Sequence, residues 1–198
     1  MPPAEPLDRL RDAVARWTTV PEPLWPEFAG LFQVRHLAAG EHAALGGGPL
    51  RDVFFVADGL LRLYYTDAKG CEWNKAFVPE GGFAGSLAAY AGAGSSPYSI
   101  QAIETSTILA APWSGLAALY DRHPAFERLG RRFAEWLLVR KELRERAFLE
   151  LDAAGRYEAF LQEAPELAAR LPLYHVASYI GVTEVSLSRI RGRLARKQ

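Results

Sequence analysis

The sequence predicts an α+β chain: an N-terminal antiparallel β-roll, jelly-roll-like, with flanking helices, then a long dimerisation helix, then a C-terminal helix-turn-helix domain. Three observations predict it. Short β-type runs punctuated by glycine fill residues 33–112. A helical period then runs unbroken from Pro124 for about thirty residues. The segment from Leu171 to Gln198 reads as two short helices joined by a tight turn and closed by a basic tail. The expected boundaries are 1–122 for the β-roll, 123–154 for the long helix and 155–198 for the helix-turn-helix domain.

Leu7 to Trp17 spaces its apolar residues as an amphipathic helix, and Glu22 to Phe32 reads as another. From Gln33 the period changes. QVRHLAAGEHAAL, DVFFVADGLLRLYYTDAKG, CEWNKAFVPEGGF and SIQAIETSTILAAP are β-type runs, with glycines at Gly40, Gly46 to Gly48, Gly59, Gly70, Gly81 and Gly82. Evenly spaced strands with turn signals indicate an antiparallel barrel or sandwich. Asp58-Gly59 and Lys69-Gly70 suit tight turns.

After Pro112 the helical period returns. WSGLAALYDRH is one helix. Pro124 suits the first turn of the next, PAFERLGRRFAEWLLVRKELRERAFLELDA, because its missing N–H is not needed there. Phe126, Leu129, Phe133, Trp136, Leu137, Arg140, Leu143, Ala147 and Leu151 recur at spacings of three and four. Part of this stripe must cover the chain's own β domain. The rest exceeds what one small domain covers, and a second copy of the chain is the expected partner. Phe133, Trp136, Leu137, Arg140, Leu143 and Ala147 are the expected dimer seam. Gly155 is expected to break the helix. RYEAFLQEAPELAARLP then supplies one more helix with a bend at its proline.

In the last segment, Val176, Ala177 and Ile180 give the first short helix its apolar stripe. Gly181 ends it by accepting the left-handed conformation of a C-cap. Thr183 is a good N-cap for the second helix, and Leu187, Ile190 and Leu194 are its buried face. Five Lys/Arg against one Asp/Glu give this segment a net charge of +4 in a chain whose total is zero. That one-sided charge is the electrostatic footprint of a nucleic-acid partner, here double-stranded DNA. The exposed face near the N-terminus of the second helix would read bases: Thr183, Glu184, Val185, Ser186, Ser188 and Arg189. Arg189 is the leading candidate, since bidentate Arg to guanine is the commonest specific contact. Glu184 either accepts from cytosine or simply favours its helix N-terminus. Arg191, Arg193, Arg196 and Lys197 suit phosphates or solvent. Tyr174 and His175 either meet the DNA backbone or pack the first helix.

The composition excludes several classes. No run approaches the roughly eighteen apolar residues of a membrane span. The polar, Pro-rich start MPPAEPLDRL carries no signal-peptide pattern, and the lone Cys71 suits a reducing cytoplasm. Four scattered His and one Cys match no closed zinc spacing, and no Cys cluster suits an iron–sulfur centre. No convergent catalytic set stands out, so neither an enzyme, a metal nor a cofactor is expected.

Three further stretches carry a resemblance. They are Leu37-Ala-Ala-Gly40-Glu41; Val53-Phe-Phe-Val-Ala-Asp-Gly59-Leu60-Leu61-Arg62-Leu63; and Pro79-Glu80-Gly81-Gly82-Phe83-Ala84-Gly85. Together with Ala177-Ser178-Tyr-Ile-Gly181-Val-Thr183-Glu184-Val185-Ser186-Leu187-Ser188-Arg189-Ile190, they resemble the Crp/Fnr family of bacterial transcription regulators over nearly the whole chain. The likeness is to a short subgroup that ends at the recognition helix, so the family's β-hairpin wing is expected to be absent or reduced. It implies a cytoplasmic homodimer that binds DNA, with RNA polymerase as a further partner. It also implies reorientation of the helix-turn-helix about a hinge near Leu151 to Gly155. In relatives that bind cyclic nucleotides, a Gly-Glu-Leu and a later Arg-Ser/Thr-Ala hold the ribose and the cyclic phosphate. Here Ser86 stands at the Glu position, Ser96 or Pro97 falls near the Arg position, and no Arg or Lys lies between Lys75 and Arg122. Losing a charge-assisted bond removes about 1.5–3 kcal/mol, roughly one to two decades of affinity. cAMP is therefore not expected to be a tight ligand, and the effector stays unidentified. Phe83, Gly85, Ser86, Leu87, Ser95, Ser96, Tyr98 and Ser99, with Tyr90, either line a pocket for a less anionic ligand or are simply loop and core. The other reading of the whole is an effector-binding β-roll whose C-terminal helices contact protein rather than DNA.

Overall fold

The computed structural model describes residues 5–196, so Lys197 lies outside the described residues. Its strands are β1 (Gln33–Leu37), β2 (His42–Ala44), β3 (Asp52–Asp58), β4 (Leu61–Thr66), β5 (Glu72–Val78), β6 (Phe83–Ala84), β7 (Ser99–Ala102) and β8 (Ser106–Pro112). They form two antiparallel four-stranded sheets, ordered β1-β8-β3-β6 and β2-β7-β4-β5. Alternation along β3 explains how one sheet serves two cores. Phe54 and Val56 enter the space between the sheets with Leu61, Leu63, Ile100 and Ile108. Phe55 and Ala57 face outward with Leu109. There they meet α1 (Pro6–Ala15), α2 (Trp25–Ala29), α3 (Trp113–Arg122) and the start of α4 (Pro124–Glu150) through Leu10, Val14, Phe28, Leu116, Leu119, Phe126 and Leu129.

The β3–β4 turn is made at Gly59, with φ +97. Its N–H donates to Glu80 Oε1 at 3.0 Å, and the next amide, Leu60, donates to Ser106 Oγ at 3.2 Å.

α4 is 27 residues long and ends at Glu150, not at Gly155. Leu151 is extended (φ −103, ψ 143), and Asp152 caps the following helix by accepting from Gly155 N at 2.8 Å. A cap that satisfies an orphan amide starts a helix as surely as a glycine can end one. Gly155 therefore sits inside α5 (Ala153–Glu163) rather than ending a helix. Pro165 opens α6 (Pro165–Arg170), followed by α7 (Leu173–Ile180) and α8 (Glu184–Ala195).

The C-terminal unit is docked on the β-roll. Its core of Phe160, Leu171, Val176, Ala177, Ile180 and Leu187 closes over Leu60 of the β3–β4 turn, with Phe77 and Ile103 packed against it. Arg170 of α6 adds a two-pronged bond to Glu80, with both N···O distances 2.9 Å, and a further bond to Glu104.

Candidate nucleic-acid interface and sensor pocket

The helix-turn-helix forms as its residues dictate. Gly181 adopts φ +75, and Val182 N reaches back to Ala177 O at 3.0 Å, closing the end of α7. Thr183 is extended and its hydroxyl accepts from Ser186 N at 3.2 Å, which opens α8. Leu187 and Ile190 are buried against α7 and α5, as expected. With 3.6 residues per turn, Val185, Ser188, Arg189, Gly192 and Arg196 then share the outward face. Val185 is 62% exposed, and Ser188 and Arg189 are also exposed.

The predicted DNA-binding residues divide accordingly. Thr183, Glu184, Val185, Ser188 and Arg189 are presented together at the start of α8. Ser186 is half-buried, its hydroxyl lies 2.9 Å from that of Thr183, and it lines the cleft that Arg189 and Arg193 also border. Arg189, Arg193 and Arg196 line one cleft with Ala153 at the start of α5. Arg191 lies on the other flank, beside Tyr157 and Leu173.

Tyr174 is exposed, but His175 is buried and belongs to the clamp that holds α7 on β5. Asn74 Nδ2 donates to His175 O at 3.1 Å and faces its Nδ1 at 3.2 Å. Ser178 Oγ accepts from Asn74 N at 2.8 Å and donates to Glu72 O at 2.9 Å. Arg62, itself buried, pairs with Glu72 at 2.7 Å and Gln101 at 2.7 Å. Arg144 of α4 donates to Asn74 O and to Tyr179 O. Burial, and next the Arg62 cation, lower His175 to about 4 against a weaker opposing pull from Glu72. The folded state thus prefers the neutral ring, so this contribution to stability is complete above about pH 6.5 and fades as pH falls toward 4. Thermal midpoints should show it: the gap between the unaltered chain and His175→Gln narrows from pH 7 to pH 4. A gap independent of pH would refute a neutral, load-sharing His175.

Among the effector-pocket residues, Ser86, Ser96, Ser99, Tyr90 and Tyr98 spend their hydroxyls on backbone partners. Ser86 and Ser96 are fully buried. Ser86 Oγ accepts from Ala89 N at 3.3 Å, Ser96 Oγ donates to Tyr98 O at 2.6 Å, and Ser99 Oγ accepts from Gly46 N at 2.9 Å. Short hydroxyls in a low-dielectric interior take the nearest backbone partner. Tyr98 packs in the core between the sheets and donates to Gly85 O at 2.7 Å. Tyr90 donates to Asp52 O at 2.6 Å and stacks on Trp113. Ser95 bridges to Pro49, Leu87 faces solvent, and Phe83 turns to the outer helices against Phe55 and Phe133. His36 and His42 each meet one hydroxyl, of Thr107 and Tyr64. Among the described residues no group of three or more His, Cys, Asp or Glu is placed to hold a metal ion, and no helix is long and apolar enough to cross a membrane.

Along α4 the expected seam is split. Phe133 packs on Trp17 and Phe83, and Leu137 and Ala147 are half-buried on their own chain. Arg140 pairs with Glu163 of α5 at 2.6 Å. The outward stripe is Val139 and Leu143, at 52% and 59% exposure, flanked by Leu138 and Leu149, while Trp136, 40% exposed, also meets Trp17 of its own chain edge-on. A 3–4 spacing does not say which of two apolar stripes meets the chain's own sheet.

Fold and C-terminal unit together define a two-part protein, a β-roll carrying a helix-turn-helix. Residues 34–123 match the family described as the cyclic nucleotide-binding domain. FixK2 from Bradyrhizobium japonicum superposes with a TM-score of 0.74 at 20% identity, over 84% of this chain and 85% of that one. CLP of Xanthomonas campestris, described as a c-di-GMP-responsive global regulator, superposes with a TM-score of 0.72 at 13% identity, over 89% and 93%. The catabolite activator protein of Thermus thermophilus gives 0.51 at 22%, over 98% and 88%. No curated protein sequence matches the chain. The chain shares the fold of these structures, and its residues 34–123 form a domain of the cyclic nucleotide-binding type.

Proposed function

We propose that this chain is a sequence-specific DNA-binding transcription regulator, that it acts as a homodimer, and that its β-roll does not hold cAMP tightly. The observation that carries the reading is the outward face of α8. A capped helix presents Val185, Ser188 and Arg189 to solvent, with Arg193 and Arg196 beside them. That is the arrangement by which a helix enters the major groove and its flanking cations meet phosphates. The outward stripe of α4 supports the dimer. The occupied hydroxyls of Ser86 and Ser96, and Tyr98 between the sheets, support the weak affinity for cAMP.

Fluorescence anisotropy on DNA from the gene's own upstream region, at two salt concentrations and with or without cAMP, tests the reading. Selective binding that weakens steeply with salt and ignores cAMP is expected. Arg189→Ala should cost about 1–3 kcal/mol, roughly 5- to 150-fold, and relax the preference at one base pair. Unchanged affinity and preference in that variant would remove Arg189 from base reading. Binding insensitive to salt would favour a protein contact instead.

A further inference from the structure

Val185 is 62% exposed, the one large apolar side chain left open on α8 among the described residues. The core beneath the helix sets its direction. Leu187, fully buried in the C-terminal unit, lies two residues on, about 200° around the helix. Val185 therefore points away from that core. The bond from Ser186 N to Thr183 Oγ1, 3.2 Å long, holds the first turn in which it stands. A valine in a helix keeps essentially one χ1 rotamer, so its two methyls are already aimed and lose little freedom on contact. Arg189 shares the face and stands about 6 Å further along the axis.

Among base edges, an apolar side chain has one favourable neighbour. All four bases display hydrogen-bonding atoms in the major groove, and only thymine adds an apolar group, its 5-methyl. Over a guanine, adenine or cytosine edge, Val185 would strip water from polar atoms and return no hydrogen bond. Over thymine it buries methyl against methyl.

We propose that Val185 is a specificity-determining residue that reads the 5-methyl of one thymine in each half-site of the DNA. That thymine lies about two base pairs from the guanine assigned to Arg189, since about 6 Å of helix covers two steps of about 3.4 Å. The assignment rests on the DNA-binding reading of α8 and adds to it the identity of one base and the group by which that base is told apart.

Duplexes enriched by the full chain from a random-sequence pool supply the probe. In one such duplex each thymine is replaced in turn by uracil, which keeps every hydrogen-bonding atom and lacks only the methyl. Anisotropy with the unaltered chain should find one position per half-site where uracil weakens binding about fourfold, the loss of one buried methyl group. Val185→Ser should bind the thymine and uracil duplexes alike, and Val185→Ile should keep the difference. Any effect of the methyl on DNA shape acts on all three chains equally, so the comparison cancels it. Selective binding that no uracil weakens overturns the assignment and leaves the DNA-binding reading standing. A uracil penalty of the same size in Val185→Ser overturns it too, by giving the methyl to another side chain. Enrichment of no sequence overturns both readings. The uracil series on the unaltered chain needs no variant, so it decides even where Val185→Ser fails to fold.

Discussion

A chain carrying Val139→Glu and Leu143→Glu is expected to sediment as a monomer where the unaltered chain sediments as a dimer. Both side chains are more than half exposed in the single chain, so the protomer should melt at nearly its usual temperature. In a paired α4 they would be buried, and each Val or Leu removed from water contributes about 1.5–3 kcal/mol. Since each is only a little over half exposed to begin with, two positions on each of two helices give about 3–6 kcal/mol, enough to raise the dimer dissociation constant by roughly 100-fold or more. A monomer reaches only one half-site, so affinity for a two-fold operator should fall at least about 100-fold. Sedimentation velocity with anisotropy checks both. A variant that stays dimeric at micromolar concentration would place the dimer contact elsewhere on the surface.

Gly59→Ala should be the most damaging single methyl group in the roll. A Cβ there would lie 2.3 Å from Ser106 Oγ, 2.7 Å from its Cβ and 2.8 Å from its Cα, on a backbone at φ +97. The left-handed conformation costs about 1–2 kcal/mol and the overpacking about 1–3 more. For a chain of this size that lowers the melting temperature by roughly 5–15 °C. The displaced Ser106 also holds Leu60 N, so the damage reaches the surface on which the helix-turn-helix rests. Gly70→Ala is the comparison: φ is +81, but nothing lies within 4 Å of the added methyl. Backbone strain alone should then cost about 1 kcal/mol, roughly 2–4 °C. Equal melting shifts in the two variants would mean that the close approach at Ser106 is not real.

How far the sequence could be read depends on whether the signal is local. The cap at Thr183, the turn at Gly181 and the glycine-marked strands are set by residues within a few positions, and each forms as expected. The end of α4 was misplaced because two local signals compete there. Asp152 captures the amide of Gly155, and a satisfied cap outweighs the poor helix propensity of one glycine. The outward stripe of α4 is only half legible in the sequence. Phe133 and Leu137 follow the same 3–4 spacing as Val139 and Leu143, and only Trp17 and Phe83, distant in sequence, draw Phe133 inward. The clamp was not legible at all. Asn74 and His175 are 101 residues apart, and no period ties them. Arg62, a charged residue in the apolar run LLRLYY, was the one available hint. A cation buried among strands implies partners arriving from elsewhere.

The apolar floor beneath α7 has a thermodynamic corollary. A helical unit running from Ala153 to Ala195 is near the size at which a core cannot sustain itself. This one completes its interior with Leu60, Phe77 and Ile103 from the β-roll. Heat should therefore melt the two parts in one cooperative transition, although the chain is divided in two by sequence. Severing it at Asp152 would yield no independently folded unit, only a set of short helices whose Val176 and Ile180 have lost part of their cover.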